Sequence, residues 1–277
     1  MVAVVASAPA KVILVGEHFV VRGSGAIVAA IGRRVRVRVE ESREGVEIES
    51  SLFKVKASPQ DLEEPRNMPS EVLPFITLLK QLSRMGYSII PHRAVIESGI
   101  PVAAGLGSSA STAVAYALAY TALHGDPLKG ERLFEAAMAA ERIAHENPSG
   151  VDVAAAIEGG FLYYRRGERP RRITSGLRGV ELIVADTGVK RRTSDVVRSV
   201  IETADALGEA GRLIYMAGEK VVGLALEALE RGDAEKLGLA MNASHGLLSA
   251  LGASSLEVDM LVNALRRAGA LGAKLTG

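Results

Sequence analysis

Hydrophobic residues recur along this chain with the periods of both strands and helices. Between positions 34 and 39 three arginines alternate with three valines, a period of two that is typical of a half-buried strand. Between positions 70 and 85 apolar residues recur every three or four positions, which predicts an amphipathic helix. The predicted strands are 2–6, 11–15, 34–39, 46–48, 52–55, 93–97, 161–164, 180–186 and 272–275. The predicted helices are 70–85, 109–123, 131–145, 194–206, 211–231, 233–251 and 255–268.

Strands that are interleaved with helices, some of them antiparallel, predict a fold class. They favour a two-domain α+β or α/β protein over a barrel or a helical bundle. The stretch 165–172 is basic and contains a proline, so it is the predicted domain boundary. The predicted domains are therefore residues 1–172 and 173–277.

Composition excludes several kinds of chemistry. The 277 residues contain no cysteine, which rules out a disulfide framework, thiolate zinc sites and a cysteine nucleophile. Lys and Arg (33) nearly balance Asp and Glu (32), so no overall field attracts nucleic acid or an anionic membrane. The longest uncharged stretch, 98–123, contains a proline and three glycines, which favours a loop and a buried helix over a membrane span. Any anion-binding site must therefore be local.

A glycine-rich turn leads into one of the predicted helices. Consecutive backbone N–H groups and the positive end of a helix dipole can surround a phosphate at such a point. The turn is not a Walker loop, because no Gly-Lys-Ser/Thr follows it. The alternative is a tight turn with Ser108 or Ser109 as the helix N-cap. The candidate phosphate-binding residues are Pro101, Ala104, Gly105, Leu106, Gly107, Ser108, Ser109 and Ala110.

One lysine lies inside an apolar strand. Lys11 precedes Val-Ile-Leu-Val, and a buried unpaired ammonium is costly, so its side chain must reach solvent or meet an anion. Taken alone, an edge or surface lysine is the simpler interpretation. The segment around it, Ala-Pro-Ala-Lys-Val-Ile-Leu-Val-Gly-Glu-His-Phe-Val-Val-Arg-Gly at 8–23, resembles the first signature of the GHMP kinases. Within that family it is most similar to the mevalonate kinases.

Two further segments carry the resemblance. Glu141-Arg-Ile-Ala-His-Glu-Asn-Pro-Ser-Gly-Val-Asp152 is similar to the stretch in which a helix ends with a metal-binding glutamate and an Asn/Thr-Pro-Ser-Gly-Ile/Val-Asp turn follows. Without the family, Asp152 would be a favourable acidic residue in the first turn of a helix and Glu141 a solvated helix residue. Residues 186–195 resemble the family's Thr-x-Val-Pro-Arg-Ser-Thr stretch and align Arg191 and Thr193 with it. Lys-Leu-Thr-Gly at 274–277 resembles the start of the third signature.

The sequence also departs from the family pattern. Ala10 and Glu146 stand where glycine is usual, and Lys190 stands where proline is common. Glu146 is expected to narrow or recharge the substrate pocket, so it bears on the choice of substrate rather than on the family. The sequence stops at Gly277, where the third glycine loop would begin, so we expect a second domain that is shortened at that motif.

The resemblance implies a fold, a reaction and a set of roles. The implied fold is the α+β GHMP kinase fold, with an N-terminal β-α domain on a mixed sheet and a C-terminal ferredoxin-like domain. The implied substrates are ATP, held at the glycine turn, and mevalonate, whose primary hydroxyl is phosphorylated to give 5-phosphomevalonate. The implied setting is a cytoplasmic enzyme of isoprenoid biosynthesis, with a homodimer as a further possibility. The implied roles are catalysis for Lys11 and Asp152, Mg²⁺ binding for Ser109 and Glu141, and substrate contact for Glu17, His18, Gly150, Arg191 and Thr193.

Alternative functions differ in the acceptor or in the presence of catalysis. A phosphomevalonate kinase, or another GHMP kinase for a small alcohol, would keep the fold. An acceptor that already bears a phosphate would require more cations, and the sequence offers only Arg191 and Arg192 for that purpose. A catalytically silent binding relative could dispense with Lys11 or Asp152, whereas both are present.

Overall fold

The computed structural model describes residues 2–101, 104–145, 148–189 and 193–276, with the side chain of Thr193 left out. The strands of these residues are β1 (Ala3–Val15), β2 (Ala26–Glu41), β3 (Val46–Ser50), β4 (Lys54–Ala57), β5 (His92–Ser98), β6 (Phe161–Tyr164) and β7 (Arg171–Ile173). The helices are α1 (Pro59–Glu63), α2 (Leu73–Arg84), α3 (Ser108–Leu123), α4 (Gly130–Ala144), α5 (Val151–Glu158), α6 (Thr193–Ala206), α7 (Glu209–Arg231), α8 (Ala234–Ala250) and α9 (Leu256–Arg267). No helix in these ranges has the length and apolarity that crossing a membrane requires.

The chain divides into two compact units, and β1 and β2 each run from one unit into the other. Unit 1 comprises residues 1–11, 31–102 and 106–159, and unit 2 comprises 12–30, 103–105 and 160–277. The division at residue 172 stays a prediction about domains in the sequence.

Unit 1 is built on a mixed sheet. Its strands lie in the order β4-β3-β5-β2, and β3 pairs with β5 in parallel. The predicted alternation in β2 is confirmed: Val35, Val37 and Val39 are fully buried, whereas the arginines between them are exposed. The sheet therefore has one face toward a core, as a period of two requires.

The packing of helices in unit 1 fixes the positions of three helix ends. α3 packs against α4 and α5. Its residues from Ala110 to Ala117 are all buried, which small side chains permit because they let neighbouring elements approach from every side. The N-terminal ends of α3 and α5 and the C-terminal turn of α4 are thereby fixed within one unit.

In its described residues, unit 2 combines a short piece of sheet with four α-helices, α6 to α9. Ala26 to Ala29 of β2 pair with β6, and β6 pairs with β7. α7 packs against α6 and α8. Phe19, in the 3₁₀ turn that follows β1, lies in an apolar cluster with Leu248, Leu251 and Leu275. Together with unit 1 this confirms the α+β class.

Four of the predicted strands are wrong as assigned, judged on the described residues. Strands 2–6 and 11–15 form a single strand, β1, because extended backbone accommodates the φ of Pro9 and strand-edge positions tolerate its missing N–H. Segment 180–186 has no strand partner among the described residues, and Ile183 is 72% exposed. Segment 272–275 also lacks a strand ladder there. An apolar run favours an extended backbone, but it does not show whether a neighbouring strand is present to pair with it.

A buried histidine in unit 1 lies among tyrosines. His92 is fully buried, its Nδ1 lies 2.8 Å from the carbonyl oxygen of Ile90, and its Nε2 lies 2.5 Å from the hydroxyl of Tyr116. The carbonyl can only accept, so Nδ1 donates to it and Nε2 accepts from the tyrosine. Burial lowers the pKa of His92 from 6.5 to about 4.

We expect this histidine to make the fold sensitive to acid. A neutral His92 contributes stability that is complete above pH 6.5 and is lost as the pH falls from 6.5 toward 4. Between pH 7 and pH 5 the loss amounts to about 2 kcal/mol from this group. Denaturant unfolding of the wild type and of His92→Gln at both pH values measures the loss, which should be smaller in the variant. An equal loss in both proteins would contradict the assignment.

Candidate active site

A lysine and an aspartate form an ion pair inside unit 1. Lys11 on β1 is 4% exposed, and its Nζ lies 3.1 Å from Oδ1 of Asp152. Asp152 stands in the first turn of α5, after the N-cap residue Gly150, and its side chain is 30% exposed. The lysine therefore meets an anion within an apolar strand, and its partner keeps access to solvent.

Hydrogen bonds tie β1 to the glycine turn. The backbone N–H of Lys11 donates to the carbonyl oxygen of Leu106 at 3.0 Å. The Ser111 hydroxyl donates to the carbonyl oxygen of Pro9 at 2.7 Å. β1 thus holds its lysine at a fixed position relative to the start of α3.

Gly107 immediately precedes α3 and lies against the ion pair. It is the N-cap residue, with φ of +75° in the left-handed region, and no side-chain capping bond occurs among the described residues. The serine N-cap that the sequence left open as an alternative is therefore not formed. Because the N-cap residue is a glycine and has no side chain to satisfy the first N–H groups of α3, these groups can bind an anion together with the helix dipole.

A second carboxylate lies near the ion pair. Glu141, in the last turn of α4, is 3% exposed, and its Oε1 is buried without a hydrogen-bond partner among the described residues. Burial raises the pKa of Glu141 and the negative charge of Asp152 raises it further, whereas a hydrogen bond from Ser109 and the positive charge of Lys11 oppose the shift. These relations place Ser109, Glu141, Asp152 and Lys11 around one region of unit 1.

This arrangement fits a hard divalent cation. No group of three His, Asp or Glu side chains suitable for a metal occurs in the described ranges. Mg²⁺ does not need one, because it is usually held by one or two carboxylates together with water and substrate phosphates. The bare oxygen of Glu141 and the hydroxyl of Ser109 supply such a set.

Gly107 gives a test of the close packing at this site. A Cβ at this position would lie 3.2 Å from Cγ of Lys11 and 3.5 Å from Cβ of Asp152. We expect Gly107→Ala to lower kcat/KM by about tenfold to a hundredfold, because small displacements of reacting groups cost that much. Steady-state kinetics measure the effect.

Gly86→Ala is the matched control for this substitution. Gly86 also has positive φ, +100°, but an added Cβ would have no described atom within 4 Å. It therefore shares the backbone strain without the contact with Lys11. Equal losses of activity in the two variants would show that packing against Lys11 is unimportant.

The other predicted site residues fall into three groups. Glu17 and His18 are buried in unit 2, and His18 has φ of +61°, uncommon for a residue other than glycine. Pro101 is exposed, and Leu106 and Ala110 are buried. Arg191 and the side chain of Thr193 lie outside the described residues, as do Glu146 and Lys190.

The sequence predicted no site role for three residues whose side chains bind the first signature segment. Ser111 holds Pro9, and Lys274 and Thr276 contact Glu17 and Ile13 respectively. The only sequence signal for the last two was their place in the Lys-Leu-Thr-Gly segment. Contacts across more than 250 positions leave no local pattern.

Comparison with known proteins assigns the class that the fold and this site indicate, the GHMP kinases. The family description GHMP kinases N terminal domain matches residues 74–160, and GHMP kinases C terminal matches residues 225–277. The chain is 59% identical over 273 residues to the mevalonate kinase of Aeropyrum pernix, covering 98% of this chain and 84% of that protein. It is 36% identical over 293 residues to the mevalonate kinase of Thermococcus gammatolerans, covering 99% and 86%. The chain therefore belongs to the mevalonate kinase family of the GHMP kinases.

Solved structures agree with this assignment. The crystal structure of L. major mevalonate kinase in complex with R-mevalonate matches with a TM-score of 0.79 at 29% identity, covering 99% of this chain and 83% of that chain. Lactococcus lactis galactokinase, complexed with galactose, matches with a TM-score of 0.84 at 20% identity, covering 99% and 82%. The second likeness concerns the fold alone. The fold predicted from the three signatures is thus confirmed.

Proposed function

We propose that this chain transfers the γ-phosphoryl group of ATP to the primary hydroxyl of mevalonate, giving 5-phosphomevalonate and ADP. The observation that carries the proposal is the ion pair of Lys11 and Asp152 against Gly107, at the N-terminus of α3. The relatives at 59% and 36% identity are both mevalonate kinases. The enzyme is proposed to act in isoprenoid biosynthesis in the cytoplasm.

The start of α3 is proposed to hold the phosphates of ATP. Its first N–H groups have no side-chain cap among the described residues, and the helix dipole favours negative charge at this end. The turn residues before it, Ala104 to Gly107, are proposed to complete the cradle. Phosphoryl transfer depends mainly on such positioning and on neutralising charge.

Ser109 and Glu141 would hold Mg²⁺ at this site. When bound, the ion neutralises the phosphate oxygens and helps align ATP. The support in this chain is the buried Oε1 of Glu141, which has no hydrogen-bond partner in the described part of the chain, and the hydrogen bond from Ser109 to the same carboxyl group. A carboxyl whose pKa is raised by burial becomes ionised when a cation is supplied.

Asp152 and Lys11 are proposed to act on the acceptor. Asp152 is partly exposed and accepts the proton of the primary hydroxyl, whose oxygen forms the new bond to the γ-phosphorus. The bond from that phosphorus to the bridging oxygen of ADP breaks. Lys11, 5% exposed at its side chain, stabilises the negative charge on the alkoxide and on the transferred group.

The acceptor is proposed to be mevalonate rather than a phosphorylated relative of it. Glu17, His18, Gly150, Arg191 and Thr193 are the proposed acceptor-side residues. Two of them, Glu17 and His18, lie in the Gly-Glu-His segment, which resembles the first signature of the mevalonate kinases. A kinase whose acceptor already carries a phosphate would require additional cations to bind that phosphate.

Measurement of ADP release with four acceptors tests the proposal. Mevalonate is expected to give a kcat/KM at least about a hundredfold above phosphomevalonate, homoserine and galactose, because a site built for one acceptor leaves its polar groups unpaired with another. ³¹P NMR of the product should show one phosphomonoester per ADP. A higher kcat/KM with another of the four would contradict mevalonate as the acceptor. Absence of turnover with all four would favour a binding protein.

Glu141→Gln tests the proposed metal site separately. Removing groups that only support a metal ligand costs about 10–100-fold in affinity or activity, so we expect at least about a tenfold rise in the KM for Mg·ATP. The KM for mevalonate should change by less than about threefold. Titration of activity with Mg²⁺ at fixed ATP gives the metal dependence. An unchanged Mg²⁺ requirement would remove Glu141 from the site.

A further inference from the structure

Three residues near the end of the described chain are fastened to the first signature by their side chains. We call Lys274, Leu275 and Thr276 the clamp segment. The hydroxyl of Thr276 accepts from the N–H of Ile13 at 3.1 Å and lies 3.2 Å from the carbonyl oxygen of the same residue, to which it donates. One side chain thus meets both backbone groups that a strand partner would otherwise meet.

Lys274 is buried and engaged on several sides. Its side chain is 2% exposed, and its Nζ contacts Oε1 of Glu17, the carbonyl oxygen of Leu275 and, at 3.4 Å, the carbonyl oxygen of Ile13. An ammonium group has three donors, and three acceptors surround this one. Lys274 is therefore suited to hold other groups in place rather than to bind a substrate phosphate.

The two carboxyl oxygens of Glu17 differ in their hydrogen bonding. Its side chain is 5% exposed, Oε1 meets Lys274, and Oε2 is buried without a hydrogen-bond partner among the described residues. A buried carboxylate oxygen without a donor is costly in a folded protein. Oε2 is therefore a ready acceptor for a hydroxyl group brought by a ligand.

The clamp segment is itself held by a histidine. His245 is buried, its Nδ1 lies 3.4 Å from the N–H of Leu275, and its Nε2 lies 3.1 Å from Oδ1 of Asp259. Nδ1 must accept from the N–H, so Nε2 carries the proton and donates to the carboxylate. Burial lowers the pKa of His245, which favours this neutral form. The backbone next to Lys274 is thereby fixed.

We propose that Lys274 is a positioning residue for the acceptor alcohol: it holds and orients the Glu17 carboxyl group so that Oε2 accepts a hydrogen bond from a hydroxyl of the acceptor. The inference rests on the proposed function, because it assigns Glu17 to the acceptor side. Lys274 itself does not touch the acceptor. Its effect passes through Glu17, so the two residues must act as one unit.

A mutant cycle in acceptor binding tests this assignment. Lys274→Met leaves a buried carboxylate without its partner and is expected to raise the KM for the acceptor by about tenfold or more. The KM for ATP should stay within about twofold, a split that a general structural defect would not produce. Glu17→Gln should show the same split. The double variant should be no worse than the poorer single variant.

The double variant also guards against failure to fold. Removing one partner of a buried ion pair is far more destabilising than removing both, so Glu17→Gln/Lys274→Met can be compared with Glu17→Gln even if Lys274→Met is insoluble. Lys236→Met is the matched control, since Lys236 pairs with Glu227 in unit 2 at 3.1 Å and has no proposed role in acceptor binding. Its KM values should equal those of the wild type.

The outcomes separate this inference from the proposed function. The four-acceptor assay on the wild type decides the function, and the cycle is then measured with whichever acceptor the wild type phosphorylates or, without turnover, by calorimetric binding of mevalonate. A selective, non-additive loss of acceptor affinity supports the role of Lys274. Equal changes in both KM values, or losses that multiply in the double variant, would overturn it.

Discussion

Replacing Asp152 with asparagine is expected to lower kcat with mevalonate by about 10²–10⁴-fold, the range for losing a general base. Asparagine keeps the size of the side chain at the start of α5 but cannot take the proton of the acceptor hydroxyl. The KM for ATP should change little, because the phosphates are assigned to the N-terminus of α3. Steady-state kinetics with mevalonate and Mg·ATP measure both quantities, and circular dichroism checks the fold.

Asp205→Asn is the control for this substitution. Asp205 also pairs with a cation, Arg22, at 2.6 Å, and its side chain is 62% exposed. Losing this ion pair should leave kcat within about twofold, because exposed pairs contribute about 0–1 kcal/mol to stability. A kcat near the wild-type value in Asp152→Asn would remove Asp152 from the chemical step.

Replacing Lys11 with methionine is expected to lower kcat by about 10²–10³-fold, as for the loss of one group that stabilises charge in the transition state. Methionine fits the apolar surroundings of β1, so the fold should persist. Asp152, the partner left behind, is 30% exposed at its side chain and can be solvated. Kinetics and thermal unfolding are measured on the same preparation.

Lys236→Met again serves as the comparison, because it also removes a lysine from an ion pair. A fall in kcat that is similar in Lys11→Met and Lys236→Met would point to a loss of stability rather than of catalysis. If Lys11→Met is slow only at subsaturating ATP and keeps the wild-type kcat, Lys11 acts in ATP binding alone.

Local sequence pattern predicted most elements of the fold. The alternation in β2 and the helical spacing in α2 are set by which side chains must be buried, and both elements form near the predicted positions. Prediction failed where the outcome depends on a distant partner. Residues 180–186 are apolar enough for a strand, but a strand also needs a neighbour, and none pairs with them among the described residues.

In the candidate site, too, the sequence predicted residues within local motifs but not contacts between distant residues. The signatures predicted Lys11, Ser109, Glu141 and Asp152, and the structure brings these four together, although their roles remain proposals. The N-cap was open between two serines, and the structure places Gly107 there because the turn needs positive φ. The contact of Thr276 with Ile13 could not be predicted, since the two are 263 positions apart and neither carries a charge.

The most direct test of the account is the single-turnover rate of phosphomevalonate formation by Lys11→Met/Asp152→Asn, compared with the wild type and the two single variants. If the ion pair acts as one catalytic unit on mevalonate, the double variant will turn over about as slowly as the slower single variant, since residues that act together give non-additive losses. A double variant within about tenfold of the wild-type rate, or one slowed by the product of the two single effects, would contradict it.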